Sequence, residues 1–220
     1  VRVLLIAPDQ RDLNTVPEIR IITQKHHVTL LNGVVTAEDV YAACRIIRFQ
    51  VIHFATHSNA ELVALSGVET LAADDIAQLD RMTGAECIVF NSCLSGKLAS
   101  YCVAHGASYC IYSNVNLPDN DAWKFPAAFY DALSNGHSRD VVGSFAVADS
   151  GSGDYGLAVS LAIIQRMADS LADLRTKLEY ALAHPAGDTR IGVSVHTLTT
   201  VGILNGGFLA LILYLLFVQH

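Results

Sequence analysis

Positive charge is scarce in this sequence: 14 Lys and Arg stand against 21 Asp and Glu, the formal net charge is -7, and no basic run exists. Neutralising a phosphate backbone takes clustered Lys and Arg, so direct nucleic-acid binding is not expected. Cysteine pairs are missing too. The five cysteines, at 44, 87, 93, 102 and 110, form no CxxC motif, and their odd number in apolar stretches fits free thiols in a reducing compartment better than a disulfide framework. No group of His, Cys and carboxylates has metal-site spacing, and no Gly-rich phosphate loop is present, so neither a metal nor a cofactor is expected. The opening VRVLLIAP is too short an apolar run for a signal-peptide core. Because the chain opens on Val1 rather than Met, residues ahead of it are expected.

Charge of either sign is thin, at 16% of residues against 52% hydrophobic, where an average soluble domain carries about 25% charged residues. The cause is local. From Ile191 to His220 there is no Asp, Glu, Lys or Arg, and Val201 to Val218 reads VGILNGGFLALILYLLFV, about the length at which an apolar helix crosses a bilayer. A transmembrane helix is therefore expected in residues 191–220. Gly202 and Gly206 stand at GxxxG spacing with Asn205 between them, a pattern that permits close helix approach. Arg166, Arg175, Lys177 and Arg190 precede the span and no basic residue follows it, which predicts a single-pass protein in the cell membrane with its main domain facing the cytoplasm.

Ahead of that tail the 220-residue chain has room for one well-buried core of about 150 residues. Short β-rich runs alternate with helical stretches, the pattern of a parallel sheet covered on both faces. Strands are predicted at Arg2 to Ala7, Val28 to Leu31, Val51 to Ala55, Cys87 to Asn91 and Ser108 to Ser113. Thr36-Ala37-Glu38-Asp39 reads as a helix start, with Val40, Ala43, Cys44 and Ile47 following at helical spacing. Ala73-Asp74-Asp75 reads as another, Ser95 to His105 as a helix stopped by Gly106, and Ala122 to Leu133 as a surface helix. After the break at Gly151 to Asp154, Tyr155 to His184 begins as a strand and continues as a long helix with a charged face.

Two strand ends carry reactive side chains. The third runs Val51-Ile52-His53-Phe54-Ala55-Thr56-His57-Ser58 and the fourth Ile88-Val89-Phe90-Asn91-Ser92-Cys93-Leu94-Ser95-Gly96. In open parallel sheets ligands bind beyond the carboxyl ends of the strands, so His57 and Cys93 are expected side by side there. A thiol attacks as its thiolate, which a neighbouring imidazole and a following helix N-terminus both favour. His57 would then protonate the leaving amine and assist water in opening the acyl-enzyme, and the backbone N–H groups of Cys93 and of Ser58 or Asn59 would bind the oxyanion. His53, inside its strand, is expected to be structural, His26 and His27 solvated in a loop, and Cys87, Cys102 and Cys110 core thiols.

These residues resemble the caspase-like clan of cysteine peptidases, and within it the CHAT family, named for caspase-like domains associated with TPR repeats. The resemblance is carried by VIHFATHS around His57, LAADDIAQL from Leu71, IVFNSCLSG around Cys93, GASYCIYSNV from Gly106, and the Asp119, Ala122, Phe125, Phe129, Tyr130, Leu133 and Gly136 pattern. It covers roughly residues 1 to 150 and implies a caspase-like three-layer α/β sandwich with a mostly parallel sheet, His57 as catalytic histidine, Cys93 as nucleophile, and cleavage of a protein or peptide substrate after a chosen P1 side chain. Two positions depart from the family pattern. Ser58 follows the histidine where Gly is usual, which keeps the amide donor but narrows the approach to it. Asn91 stands two places before the nucleophile, where relatives that prefer a basic P1 residue often carry an acid; Asn91 is either a substrate-binding residue or structural.

The expected domain map is a peptidase domain at 1–153, a helical linker at 154–190 and the transmembrane segment at 191–220. The expected function is a membrane-anchored endopeptidase activated by a partner or by homo-oligomeric assembly, acting in prokaryotic stress or phage defence on analogy with the family. Two rivals stand beside it: a membrane effector or scaffold whose caspase-like domain only senses or oligomerises while the tail perturbs the bilayer, and an inactive interaction module.

Overall fold

A computed structural model of the chain describes residues 1–118, 121–134, 140–149 and 153–183. In chain order the elements are β1 (Arg2–Pro8), α1 (Val16–Lys25), β2 (His27–Gly33), α2 (Ala37–Ile46), β3 (Val51–Ala55), β4 (Leu62–Ala64), β5 (Thr70–Ala72), α3 (Ala73–Thr83), β6 (Cys87–Asn91), α4 (Gly96–Ala104), β7 (Tyr109–Ser113), α5 (Lys124–Ser134), α6 (Val141–Ala148), β8 (Tyr155–Val159) and α7 (Leu161–Ala183). Six strands form one sheet in the order β2-β1-β3-β6-β7-β8, and β4 and β5 form a separate antiparallel hairpin. All pairings in the large sheet are parallel except β7 with β8.

The helix starts follow their local chemistry. Thr36 Oγ1 accepts the Asp39 N–H at 3.2 Å while Asp39 Oδ2 accepts the Thr36 N–H at 2.8 Å, a reciprocal cap on α2. Asp75 Oδ2 likewise accepts the Ala72 N–H ahead of α3, and Gly84, at φ 63, ends that helix in the left-handed conformation an L side chain resists. Three elements were not anticipated: α1, the β4–β5 hairpin and α6. The start of α1 had a signal, since Thr15, Pro17 and Glu18 are a helix opening, but the run is short and its apolar face narrow.

Strand side chains alternate between faces, and the two faces hold two cores. Leu4, Ile6, Ile52, Phe54, Ile88 and Phe90 pack with Val40 and Cys44 of α2, Ile76 and Leu79 of α3 and Leu98 and Cys102 of α4. Val3, Leu5, Val51, Ala55, Cys87 and Val89 pack with Ile22 of α1, Phe129 and Tyr130 of α5 and Val141 of α6. This is the expected three-layer α/β arrangement. Cys44, Cys87, Cys102 and Cys110 are buried free thiols within it, as expected of core residues. His26 departs from its expectation: it packs against the Tyr130 ring and bonds to the Tyr130 carbonyl at 3.2 Å, because α1 delivers it to the end of α5 rather than into a loop.

The compact unit that holds the sheet runs from Val1 to Arg166. It takes in β8, whose Tyr155 to Val159 pair antiparallel with Ser113 to Tyr109. The second unit, Met167 to His220, is described here only through the remainder of α7. Among the described residues no helix is long and apolar enough to cross a membrane; the expected span at 191–220, with Gly202, Asn205 and Gly206, lies outside them.

One buried group works against stability. Asp80 of α3 is 6% exposed, and its Oδ1 has no hydrogen-bond partner among the described residues. Burial pushes its carboxyl up to about 6, partly offset by Arg81. The folded state thus holds the proton more tightly than the unfolded chain, so stability falls as pH rises from about 4 to about 6 and stays reduced above. Asp80→Asn is expected to raise stability by about 1 kcal/mol at pH 7.5 and to leave it nearly unchanged at pH 4; paired melting curves at the two pH values check this.

Candidate active site

The last paired residues of the two central strands are Ala55 of β3 and Asn91 of β6. Two residues further along each strand come His57 and Cys93. Neighbouring strands lie about 4.8 Å apart, and the two residues share one offset from the same register pair at the carboxyl edge of the sheet. The two segments are also stitched together. The Ser58 hydroxyl donates to the Cys93 carbonyl at 2.7 Å and lies 2.8 Å from the Ser92 hydroxyl. His57 is 43% exposed in its side chain, and Cys93 is half-buried, unlike the other four cysteines.

Each reactive group has a partner of its own. His57 Nε2 is 3.1 Å from Asp12 Oδ1 on the loop between β1 and α1, and the Cys93 sulfur accepts the Leu117 N–H at 3.3 Å. No hydrogen bond joins His57 to Cys93 themselves among the described residues. Asp12's carboxyl is held below the usual carboxylate range, first by its hydrogen bond with His57 and then by its own backbone N–H.

The amides around the site are arranged unequally. Ser58 faces Val63 in an isolated antiparallel bridge, with Ala64 N–H bonded to the His57 carbonyl at 2.8 Å and Asn59 N–H to the Leu62 carbonyl at 3.0 Å. In such a non-hydrogen-bonded pair the residue between them turns its own N–H away from the partner strand. The Asn59 amide is therefore occupied, while those of Ser58 and Cys93 have no acceptor among the described residues. Leu94, directly after Cys93, is the single non-glycine residue with positive φ among those described, at 51°, and is 51% exposed. Holding a leucine there costs about 1 kcal/mol, so Leu94→Gly is expected to raise the melting temperature by a few degrees, as a thermal melt would read.

Beneath this rim lies a buried polar network that the sequence did not reveal. Glu18 of α1 accepts from His53 Nε2 of β3 at 2.7 Å and from Asn91 Nδ2 of β6 at 2.7 Å. His53 Nδ1 is 3.0 Å from the Tyr130 hydroxyl of α5. Asn91 Nδ2 also donates to the Ala122 carbonyl at 3.1 Å, and Asn91 Oδ1 accepts from the Tyr155 hydroxyl of β8 at 2.5 Å. Burial pushes both phenols well above their ordinary range, so each stays a proton donor. His53 is thus structural in position, as expected, and Asn91 is buried with its amide bonded inside the protein. Gln10, Asp12, Glu18 and Leu117 were all missed as site residues. Glu18 looks like an ordinary first-turn acid, and the others sit in loops with no periodic signal. No group of three His, Cys, Asp or Glu side chains among the described residues converges as a metal site.

The fold is α/β, a mostly parallel sheet covered on both faces, with a histidine and a cysteine just beyond the ends of two adjacent strands. The chain belongs to the CHAT domain family, whose model matches residues 2–142 and so takes in both His57 and Cys93. Among solved structures it is similar to the crystal structure of the Arg-specific cysteine proteinase gingipain R, at 12% identity and a TM-score of 0.49, over 67% of this chain and 40% of that one. The chain therefore spans less than half the length of that protein. No curated protein matches it in sequence.

Proposed function

We propose that the chain is a caspase-like cysteine endopeptidase with Cys93 as nucleophile and His57 as general acid and base. The observation that carries the reading is the register of β3 with β6, Ala55 opposite Asn91, which gives the imidazole and the thiol the same offset at one sheet edge. Membership of the CHAT family supports it. The Cys93 thiolate adds to the scissile carbonyl carbon, and the oxyanion that forms is bound by the Ser58 and Cys93 N–H groups. His57 gives its proton to the departing amine as the carbon–nitrogen bond breaks, then takes one from the water that opens the thioester. No metal or cofactor has a step in this sequence.

Asn91 fits a supporting role better than direct contact with substrate, since its amide is already bonded to Glu18, Ala122 and Tyr155. The uncharged run of residues 191–220 supports a single-pass anchor in the cell membrane, with the peptidase unit in the cytoplasm. Activation by a partner or by assembly is consistent with His57 bonded to Asp12 and Cys93 to Leu117 rather than to each other. A role in prokaryotic stress or phage defence rests on family analogy alone.

Screening a peptide library with the full chain, with and without any co-encoded partner, tests the reading; cleavage absent from wild type and Cys93→Ala alike ends it. The membrane-effector alternative rests on the same apolar tail. Removing Val201 to His220 separates the two, because an effector loses toxicity with cleavage intact, whereas a peptidase keeps toxicity dependent on Cys93.

A further inference from the structure

We infer that Asp12 is a positioning residue for His57, fixing the ring so that Nδ1 is the nitrogen that exchanges protons at the reacting centre. The inference rests on the peptidase reading and deepens it. A carboxylate only accepts hydrogen bonds; with Asp12 Oδ1 3.1 Å from Nε2, Nε2 carries the proton and Nδ1 keeps a lone pair. The thiol proton passes to Nδ1, and from Nδ1 to the leaving amine. The imidazolium present between those two transfers is stabilised by the adjacent carboxylate.

The loop between β1 and α1 grips the histidine segment at more than this one point. Gln10, two residues before Asp12, accepts the His57 backbone N–H on Oε1 at 3.3 Å. Its Nε2 donates to the Thr56 hydroxyl at 3.0 Å and to the Leu65 carbonyl at 3.4 Å. The Thr56 hydroxyl in turn donates to the Ala64 carbonyl at 2.7 Å. Gln10 therefore sets the main chain on which His57 stands, and Asp12 sets the ring. The ring needs such a partner because it stands 43% exposed beyond the last ladder pair. Asp12 itself is 77% exposed in its side chain, and an exposed ion pair contributes little to folding. What its removal changes is the histidine, not the core.

The test compares the full chain with Asp12→Ala, Asp12→Glu and Cys93→Ala on a peptide selected from the library, alongside melting curves and the rate at which iodoacetamide alkylates Cys93. Asp12→Ala is expected to lose about tenfold in kcat with KM within about twofold of wild type and an unchanged melting temperature, while Asp12→Glu recovers a large part of the loss. Asp12→Ala is also expected to slow alkylation, with Cys93→Ala as the background for the four buried thiols. Wild-type kcat in Asp12→Ala, a loss confined to KM, or no recovery with Asp12→Glu overturns the inference while leaving the peptidase reading intact. If Cys93→Ala cleaves as well as wild type, it is the peptidase reading that fails, and equal alkylation rates for wild type and Asp12→Ala then overturn the Asp12 assignment separately.

Discussion

Cys93→Ala is expected to abolish peptide cleavage, with a fall in kcat of at least about 10⁴-fold, and to leave the melting temperature within a degree or two of wild type. The size follows from the removal of the sulfur proposed to form the thioester. The unchanged stability follows from position: Cys93 is half-buried at the strand end, whereas Cys87 and Cys110 are sealed in the core. His57→Ala is expected to cost a similar factor in turnover while leaving a thiol that iodoacetamide still alkylates. The pair of assays tells loss of the nucleophile from loss of its proton carrier. Residual cleavage in Cys93→Ala at more than about one hundredth of the wild-type rate would show that another group performs the chemistry.

Glu18→Leu is the substitution expected to damage the fold most. One carboxylate oxygen accepts from both His53 and Asn91, and Glu18 and His53 are almost wholly buried, at 3% and 0% exposed. A leucine leaves a ring N–H and an amide N–H without acceptors in an apolar layer, which costs about 3–5 kcal/mol and lowers the melting temperature by roughly 10 °C or more. Glu18→Gln, which keeps an acceptor oxygen, is expected to lose less than half of that. Asn91 lies two residues before Cys93, so the leucine variant also loses turnover at temperatures where it remains folded. Denaturant titration of the two variants beside wild type measures the difference; equal midpoints for leucine and glutamine mean that the network carries no such load.

Most of what positions the site was legible in residue order. The strands around His57 and Cys93 are short apolar runs that change abruptly to small polar residues, and that change marks the carboxyl edge of a parallel sheet. The α2 cap was readable because Thr36 and Asp39 stand three apart. What was not legible depends on long-range placement. Glu18 meets His53 and Asn91 only because α1 packs across the same sheet face from which Tyr155 of β8 reaches Asn91. The alternation that sends His53 and Asn91 to one face is periodic, but nothing in it says which helix will bring a carboxylate there. Asp12 was hidden for a similar reason, since a loop acid is ordinary until the strand register brings a histidine opposite it. The short hairpin of β4 and β5 had too few residues to show a period, and its effect on the Ser58 amide is purely geometric.

Tyr155 closes the polar network from the last strand of the sheet, and this gives the order of synthesis a role. A ribosome delivers His57 and Cys93 long before it delivers β8, and until then Asn91 Oδ1 has lost the hydroxyl that satisfies it and β7 has an open edge. The emerging polypeptide therefore holds His57 and Cys93 before it holds the strand that donates to Asn91 and covers the edge of β7.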